Sequence, residues 1–183
     1  MMMAEATNHY FKHLGVSDGL SQVCIPSIYQ DELGAVWLGT TEGLNRYNGK
    51  DVKVFQPSES NHGLTNNEIN ELCGDKNGRM YIRSGNDLIK LDIYTEQFTC
   101  LRQKGVYGLF CKKDTLWVSC ADGIYYYTGQ GTELTFFARV QKGFVGRALY
   151  VDKETVWVVT RKYLVAISRE DPLRQEILLT LDK

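Results

Sequence analysis

The sequence has no surplus of charge of either sign: 21 basic residues stand against 22 acidic ones, for a net charge of -1. No basic run or stripe is present to neutralise a phosphate backbone, which excludes nucleic acid as an expected partner of this segment. Nor does any apolar stretch approach the roughly 18 residues that cross a bilayer. The opening Met1-Met2-Met3-Ala4-Glu5-Ala6 lacks both the charged and the apolar regions of a secretion signal. No membrane contact by this segment is expected, and the chain as it stands reads as soluble. Its 183 residues, 43% of them hydrophobic, are enough to build a core.

Chemical motifs are equally scarce. There is no Gly-x-Ser-x-Gly, no phosphate-cradling glycine loop, no Cys-x-x-Cys and no His beside a plausible nucleophile. His9 and His13 have the spacing of a zinc pair on a helix, but the strand-like Tyr10-Phe11-Lys12-His13-Leu14 argues against one. Catalysis, a cofactor and a metal are therefore not expected. The five cysteines, Cys24, Cys73, Cys100, Cys111 and Cys120, are odd in number, so at least one is free or pairs between chains. Most read as small buried hydrophobes on strands. The alternative is one disulfide, with Cys111 and Cys120 as the favoured pair.

Helical periodicity is missing too, whereas β-branched and aromatic residues fill short runs between turn signals. What is present is a repeat. Trp37, Tyr81, Trp117 and Trp157 stand 44, 36 and 40 residues apart. Val36, Met80, Leu116 and Val156 precede them, and Leu38, Ile82, Val118 and Val158 follow. Thr40, Ser84, Cys120 and Thr160 form a column of small residues three positions on, and Leu44, Leu88, Ile124 and Leu164 an aliphatic column seven positions on. A polar turn precedes each aromatic strand, with Asp31, Asp75 and Asp152 recurring there as turn formers. An apolar strand stands ahead of each turn and two more follow the aromatic strand.

Four antiparallel strands in about 40 residues is one propeller blade. The fold class is accordingly all-β: β-propeller blades of four antiparallel strands, about four of them, in an open, incomplete ring. The expected blades are 22–56, 64–102, 105–139 and 145–182 within a partial propeller over 10–183. Residues 1–9 read as a disordered or expression-derived N-terminus, 10–14 as an outer strand of another blade, and 57–62 as a loop of disordered composition. Trp37, Tyr81, Trp117 and Trp157 are the expected inter-blade core.

In the first blade, Gly19-Leu20-Ser21, Ser27-Ile28-Tyr29-Gln30-Asp31 and the run Gly34-Ala35-Val36-Trp37-Leu38-Gly39-Thr40-Thr41-Glu42-Gly43-Leu44-Asn45-Arg46-Tyr47-Asn48-Gly49 resemble the two-component regulator propeller repeat. Later copies keep the packing columns and change the loops; Gly43 becomes Asp87, Gly123 and Tyr163. The resemblance implies a seven-bladed ring, which at this period needs about 280 residues. It also implies the periplasmic ectodomain of a hybrid two-component sensor, a histidine kinase in its intact form, that detects oligosaccharides and controls polysaccharide-utilisation genes.

Loops at the mouth of a propeller are free of packing duty and collect binding residues. On this reading Asn66, Asn67, Arg83, Asn86, Arg147, Arg161 and Lys162 are the candidates for binding an oligosaccharide, through amide and cationic donors to hydroxyl or acid groups. Open blade faces should also drive self-association. A protein-interaction and dimerisation scaffold without a small-molecule ligand is the alternative function. Polysaccharide-cleaving propellers, whose carboxylates are scattered, are the weakest reading.

Overall fold

A computed structural model describes residues 12–58, 63–140 and 145–180, with the backbone alone for 145–148. Sixteen strands form four separate sheets, each a sequential antiparallel meander. Blade 1 comprises β1 (Ser27–Gln30), β2 (Val36–Thr40), β3 (Gly43–Tyr47) and β4 (Val52–Phe55). Blade 2 comprises β5 (Ile69–Gly74), β6 (Arg79–Ser84), β7 (Asp87–Asp92) and β8 (Gln97–Arg102). Blade 3 comprises β9 (Val106–Lys112), β10 (Thr115–Cys120), β11 (Gly123–Tyr127) and β12 (Thr135–Ala138). Blade 4 comprises β13 (Val145–Val151), β14 (Thr155–Thr160), β15 (Tyr163–Ser168) and β16 (Gln175–Thr180). The first strands pack in succession, β1 on β5, β5 on β9 and β9 on β13, and so line the inside of an arc.

The repeat columns explain the meander. Thr40 pairs with Gly43, Ser84 with Asp87 and Cys120 with Gly123, so each second hairpin closes over two residues. At Gly43 the backbone has φ 126°, and a Cβ there would come within 2.8 Å of the Phe55 carbonyl. Blade 2 closes the same hairpin with Asp87 by moving the positive φ to Gly85, at 59°.

Three aromatics of the second-strand column, Trp37, Tyr81 and Trp117, face the following blade. Trp37 belongs to a cluster with Leu64, Ile69, Leu72 and Ile82 of blade 2. Tyr81 packs with Val106, Leu109 and Leu116 of blade 3, and Trp117 with Leu149, Val151 and Val158 of blade 4. Trp37 and Tyr81 are fully buried and Trp117 nearly so, whereas Trp157 on blade 4 is half-buried. Blade 4 also leaves Ile177, Leu178 and Leu179 of β16 exposed, and Ile28 is exposed on β1 at the other end of the arc.

Three expectations change. Residues 12–14 carry no strand, while Tyr10 and Phe11 lie outside the described residues, as do 1–9 and 59–62 of the loop. A short 3-10 turn, Val16–Asp18, instead precedes blade 1. The cysteines are less buried than expected. Cys120 is buried and Cys73, Cys100 and Cys111 are half-buried on strands, but Cys24 is exposed in a loop. Cys111 pairs across the hairpin with Leu116, and Cys120 pairs with Val106 at the far end of β10. Strand register thus keeps the sulfurs of the favoured disulfide pair apart, and both cysteines are free.

Candidate ligand-binding face

Two sets of turns cap the arc. On one side are the turns joining first to second strands, and on the other the two-residue turns at 41–42, 85–86, 121–122 and 161–162. The latter share their side with the segments leading into each blade, and hydrogen bonds hold the two together. In blade 1 the Ser21 N–H donates to Asn45 Oδ1 at 2.9 Å, Asn45 Nδ2 donates back to Ser21 Oγ at 2.8 Å, and the Ser21 and Thr40 hydroxyls are 2.9 Å apart. In blade 2 Ser84 Oγ donates to the Asn66 carbonyl at 2.7 Å and accepts the Asn66 N–H at 2.9 Å, while the Gly85 N–H donates to the Glu68 carbonyl at 2.7 Å. In blades 1 and 2 the small column is therefore a hydroxyl that fastens connector to turn, whereas the Thr160 hydroxyl of blade 4 bonds within its own turn, to the Tyr163 carbonyl at 3.2 Å. In blade 3 the column holds Cys120, whose burial pushes its thiol up to about 12. There the backbone does the work, with the Ala121 N–H donating to the Gly105 carbonyl at 2.8 Å.

This face carries the sequence candidates. Asn66, Asn67 and Asn86 are exposed around the blade 2 turn; Asn66 Oδ1 accepts the Glu68 N–H at 2.9 Å, and the Asn86 carbonyl accepts the Val106 N–H at 3.0 Å. Arg161 and Lys162 are exposed at the blade 4 turn, two blades on, and do not join the asparagine group. Arg147 lies on β13, with its side chain outside the described residues.

Arg83 differs from the others. It is 6% exposed, with Nε 3.4 Å from Glu71 Oε2 and a terminal nitrogen donating to the Gly85 carbonyl at 3.1 Å. Its partner Glu71, on the inner strand β5, was not among the candidates. Burial raises the Glu71 carboxyl, against the opposing pull of the Leu109 N–H and of Arg83. The Leu109 contact reaches across to β9 of blade 3. The one charged residue on the strand Ile69-Asn70-Glu71-Leu72-Cys73 was the available signal.

The opposite side of the arc has two described hollows. One of about 420 Å³ is lined by Lys112, Lys113, Asp114, Thr115, Trp117, Lys153 and Arg169, and a second of about 520 Å³ continues past Arg169 to Arg174 and Glu176. Two of the cations here are already engaged. Lys112 donates to the Val151 carbonyl at 2.9 Å, and Arg169, 5.4 Å over the Trp117 ring, donates to the carbonyls of Asp152 and Lys153 at 3.1 and 3.0 Å. Among the described residues no group of three His, Cys, Asp or Glu side chains is placed to hold a metal ion.

Four-stranded antiparallel sheets set radially around an axis lined by their first strands define a β-propeller. Residues 19–42 match the family described as "Two component regulator propeller". Over 55 residues, 30% of its length, the chain is 38% identical to a protein named histidine kinase P4 of Formosa agariphila, of which it spans 4%. In structure it is similar to the extracellular domain of a hybrid two-component system of B. thetaiotaomicron, with a TM-score of 0.75 at 21% identity over 92% of this chain and 26% of that one. The extracellular domain of a one-component system of the same organism gives a TM-score of 0.72 at 19% identity over 92% and 27%. At these identities the likeness to the two domains is one of fold.

The chain is thus an arc of a β-propeller, and its residues 19–42 carry the two-component regulator repeat. Both structural neighbours are extracellular domains, and among the described residues no helix is long and apolar enough to cross a membrane.

Proposed function

We propose that this arc is part of the periplasmic sensing domain of a hybrid two-component regulator, and that it binds oligosaccharides on the face carrying the two-residue turns. Sensing then controls genes for polysaccharide use. The regulator repeat at residues 19–42 carries the reading. The chemistry of the face supports it: exposed Asn66, Asn67 and Asn86 offer paired amide donors and acceptors to hydroxyls, and exposed Arg161 and Lys162 offer cations to an acid group. Arg83 serves this site indirectly, by fixing the Gly85 turn from below. A ligand that binds the folded state alone raises its melting temperature. A panel of neutral and uronic-acid oligosaccharides should contain members that raise it in a dose-dependent manner. No shift with any member up to millimolar concentration contradicts the proposal.

A second reading rests on the exposed Ile177, Leu178 and Leu179 of β16 and the half-buried Trp157. Apolar surface on an unpartnered blade favours association with another blade face. Light scattering over a concentration series should show a mass that climbs above 20.9 kDa. A constant monomer mass would remove this reading.

A further inference from the structure

The inner strands β5 and β9 lie side by side at the junction of blades 2 and 3, and each presents one thiol to the other. Cys73 Sγ and Cys111 Sγ are 2.6 Å apart. The contact belongs to a position at which every junction in the arc touches. Tyr29, Cys73 and Phe110 are the residues paired with the column aromatics Trp37, Tyr81 and Trp117. Tyr29 of β1 packs its ring end against Gly74 of β5, and Phe110 of β9 meets Tyr150 of β13 with ring centroids 5.1 Å apart. The outer two junctions are therefore closed by side-chain packing and the middle one by two thiols.

The backbone around the pair is held from both sides. Cys73 sits in the β5–β6 ladder opposite Tyr81, and Cys111 in the β9–β10 ladder opposite Leu116. Two residues before each cysteine, Glu71 of β5 and Leu109 of β9 stand at the same junction, where the Leu109 N–H opposes the rise that burial gives the Glu71 carboxyl. Neither thiol can swing toward another cysteine without breaking a ladder. Cys120 is at the far end of β10, Cys100 is on β8 near the outer edge of blade 2, and Cys24 is in the loop before blade 1.

We propose that Cys73 and Cys111 form a disulfide that staples blade 2 to blade 3 when the protein meets a low-molecular-weight disulfide such as oxidised glutathione. One protein thiol loses its proton and attacks the glutathione disulfide, giving a mixed disulfide and one glutathione thiolate. The second protein thiolate then attacks the protein sulfur of that mixed disulfide and expels the other glutathione. Two protein thiols are oxidised and one glutathione disulfide is reduced to two thiols, which take up the protons released. The bond closes a loop between residues 38 apart in sequence, which includes the other three strands of blade 2. Burial and the contact with Cys111 raise the Cys73 thiol above the ordinary range, so exchange is run at mildly alkaline pH.

The test is a peptide map of the chain after incubation with oxidised glutathione and blocking of the remaining thiols. It does not depend on the sensory reading, because it uses no saccharide. The map should show one peptide pair joined through Cys73 and Cys111 and released by dithiothreitol, whatever mixed disulfide the exposed Cys24 acquires. The oxidised protein should melt at least about 5 °C above the reduced one, and Cys111→Ser should abolish the difference. The proposal is overturned if Cys73 and Cys111 remain separately blocked or separately glutathionylated, or if Cys111 is joined to Cys120. The map of the unmutated chain decides the matter even if the variant does not fold.

Discussion

Asp31 and Asp152 show what one side chain does in this repeat. Asp31 is buried and its carboxylate accepts the N–H groups of Leu33 and Ala35 at 3.0 and 2.8 Å and the Trp37 indole N–H at 2.7 Å. Asp152 accepts the N–H groups of Glu154 and Thr155 at 2.9 and 2.8 Å and the Trp157 indole N–H at 2.7 Å. The same carboxylate thus shapes the turn and anchors the inter-blade aromatic. The turn role was legible in the recurring Asp; the indole bond was not, because it depends on how the strand that follows folds back. For Asp152 the Trp157 bond and the two turn N–H groups lower the carboxyl below its usual value. A depressed folded-state value means stability that is present above the unfolded value near pH 4 and lost as pH falls through the folded one. Between pH 5 and pH 3, Asp152→Asn should therefore lose less of its melting temperature than the parent does. Equal losses would show that this carboxylate does not contribute.

Arg83 and Arg161 separate two roles that sequence placed together. Both follow the aromatic by a few positions, but Arg83 is on a strand, 6% exposed and bonded to Glu71 and Gly85, whereas Arg161 is exposed on a turn. Loop position was readable from the repeat; burial at the end of β6 was not, since it depends on Glu71 from a neighbouring strand. Arg83→Ala leaves a largely buried carboxylate without its cation and should cost about 1–3 kcal/mol of stability. Arg161→Ala should stay within about 0.5 kcal/mol of the parent and weaken saccharide binding. Denaturant unfolding with binding assays on both variants checks the split. Loss of stability in Arg161→Ala, or none in Arg83→Ala, would reverse it.

At the scale of the element, the register of the repeat was readable from aromatic to aliphatic column, and all sixteen strands fall where that register puts them to within a few residues. The blade-to-blade contacts were less visible, because they pair residues of different repeats. Gly39 is an instance: a Cβ there would stand 2.8 Å from Ile69 Cγ2 and 3.0 Å from the Ile69 carbonyl, so β2 and β5 approach closely only because the side chain is absent. Gly39→Ala should push blade 1 off blade 2 and cost about 1–3 kcal/mol. A melting temperature equal to the parent's would mean that the junction has slack. The cysteine pair is another instance. Cys73 stands eight residues before Tyr81 and Cys111 six before Trp117, so the aligned columns do not bring them together and only the packing of β5 on β9 does.

Across the whole molecule, burial follows position in the arc. Aromatics that face a following blade are buried, and Trp157, which has no such cluster among the described residues, is half-buried. The open ring was therefore legible from the count of repeats, while which side of it binds a ligand was not. The two sides differ in kind. One has exposed amides and cations on two-residue turns held by hydroxyl bonds. The other has hollows whose Lys112 and Arg169 are already bonded to backbone carbonyls. Hydrogen exchange with and without a saturating oligosaccharide distinguishes them directly. The account predicts added protection at residues 64–68, 85–86 and 161–162, with none around Lys113, Lys153 and Arg169. Protection confined to those three and their neighbours would place the ligand on the opposite side and contradict it.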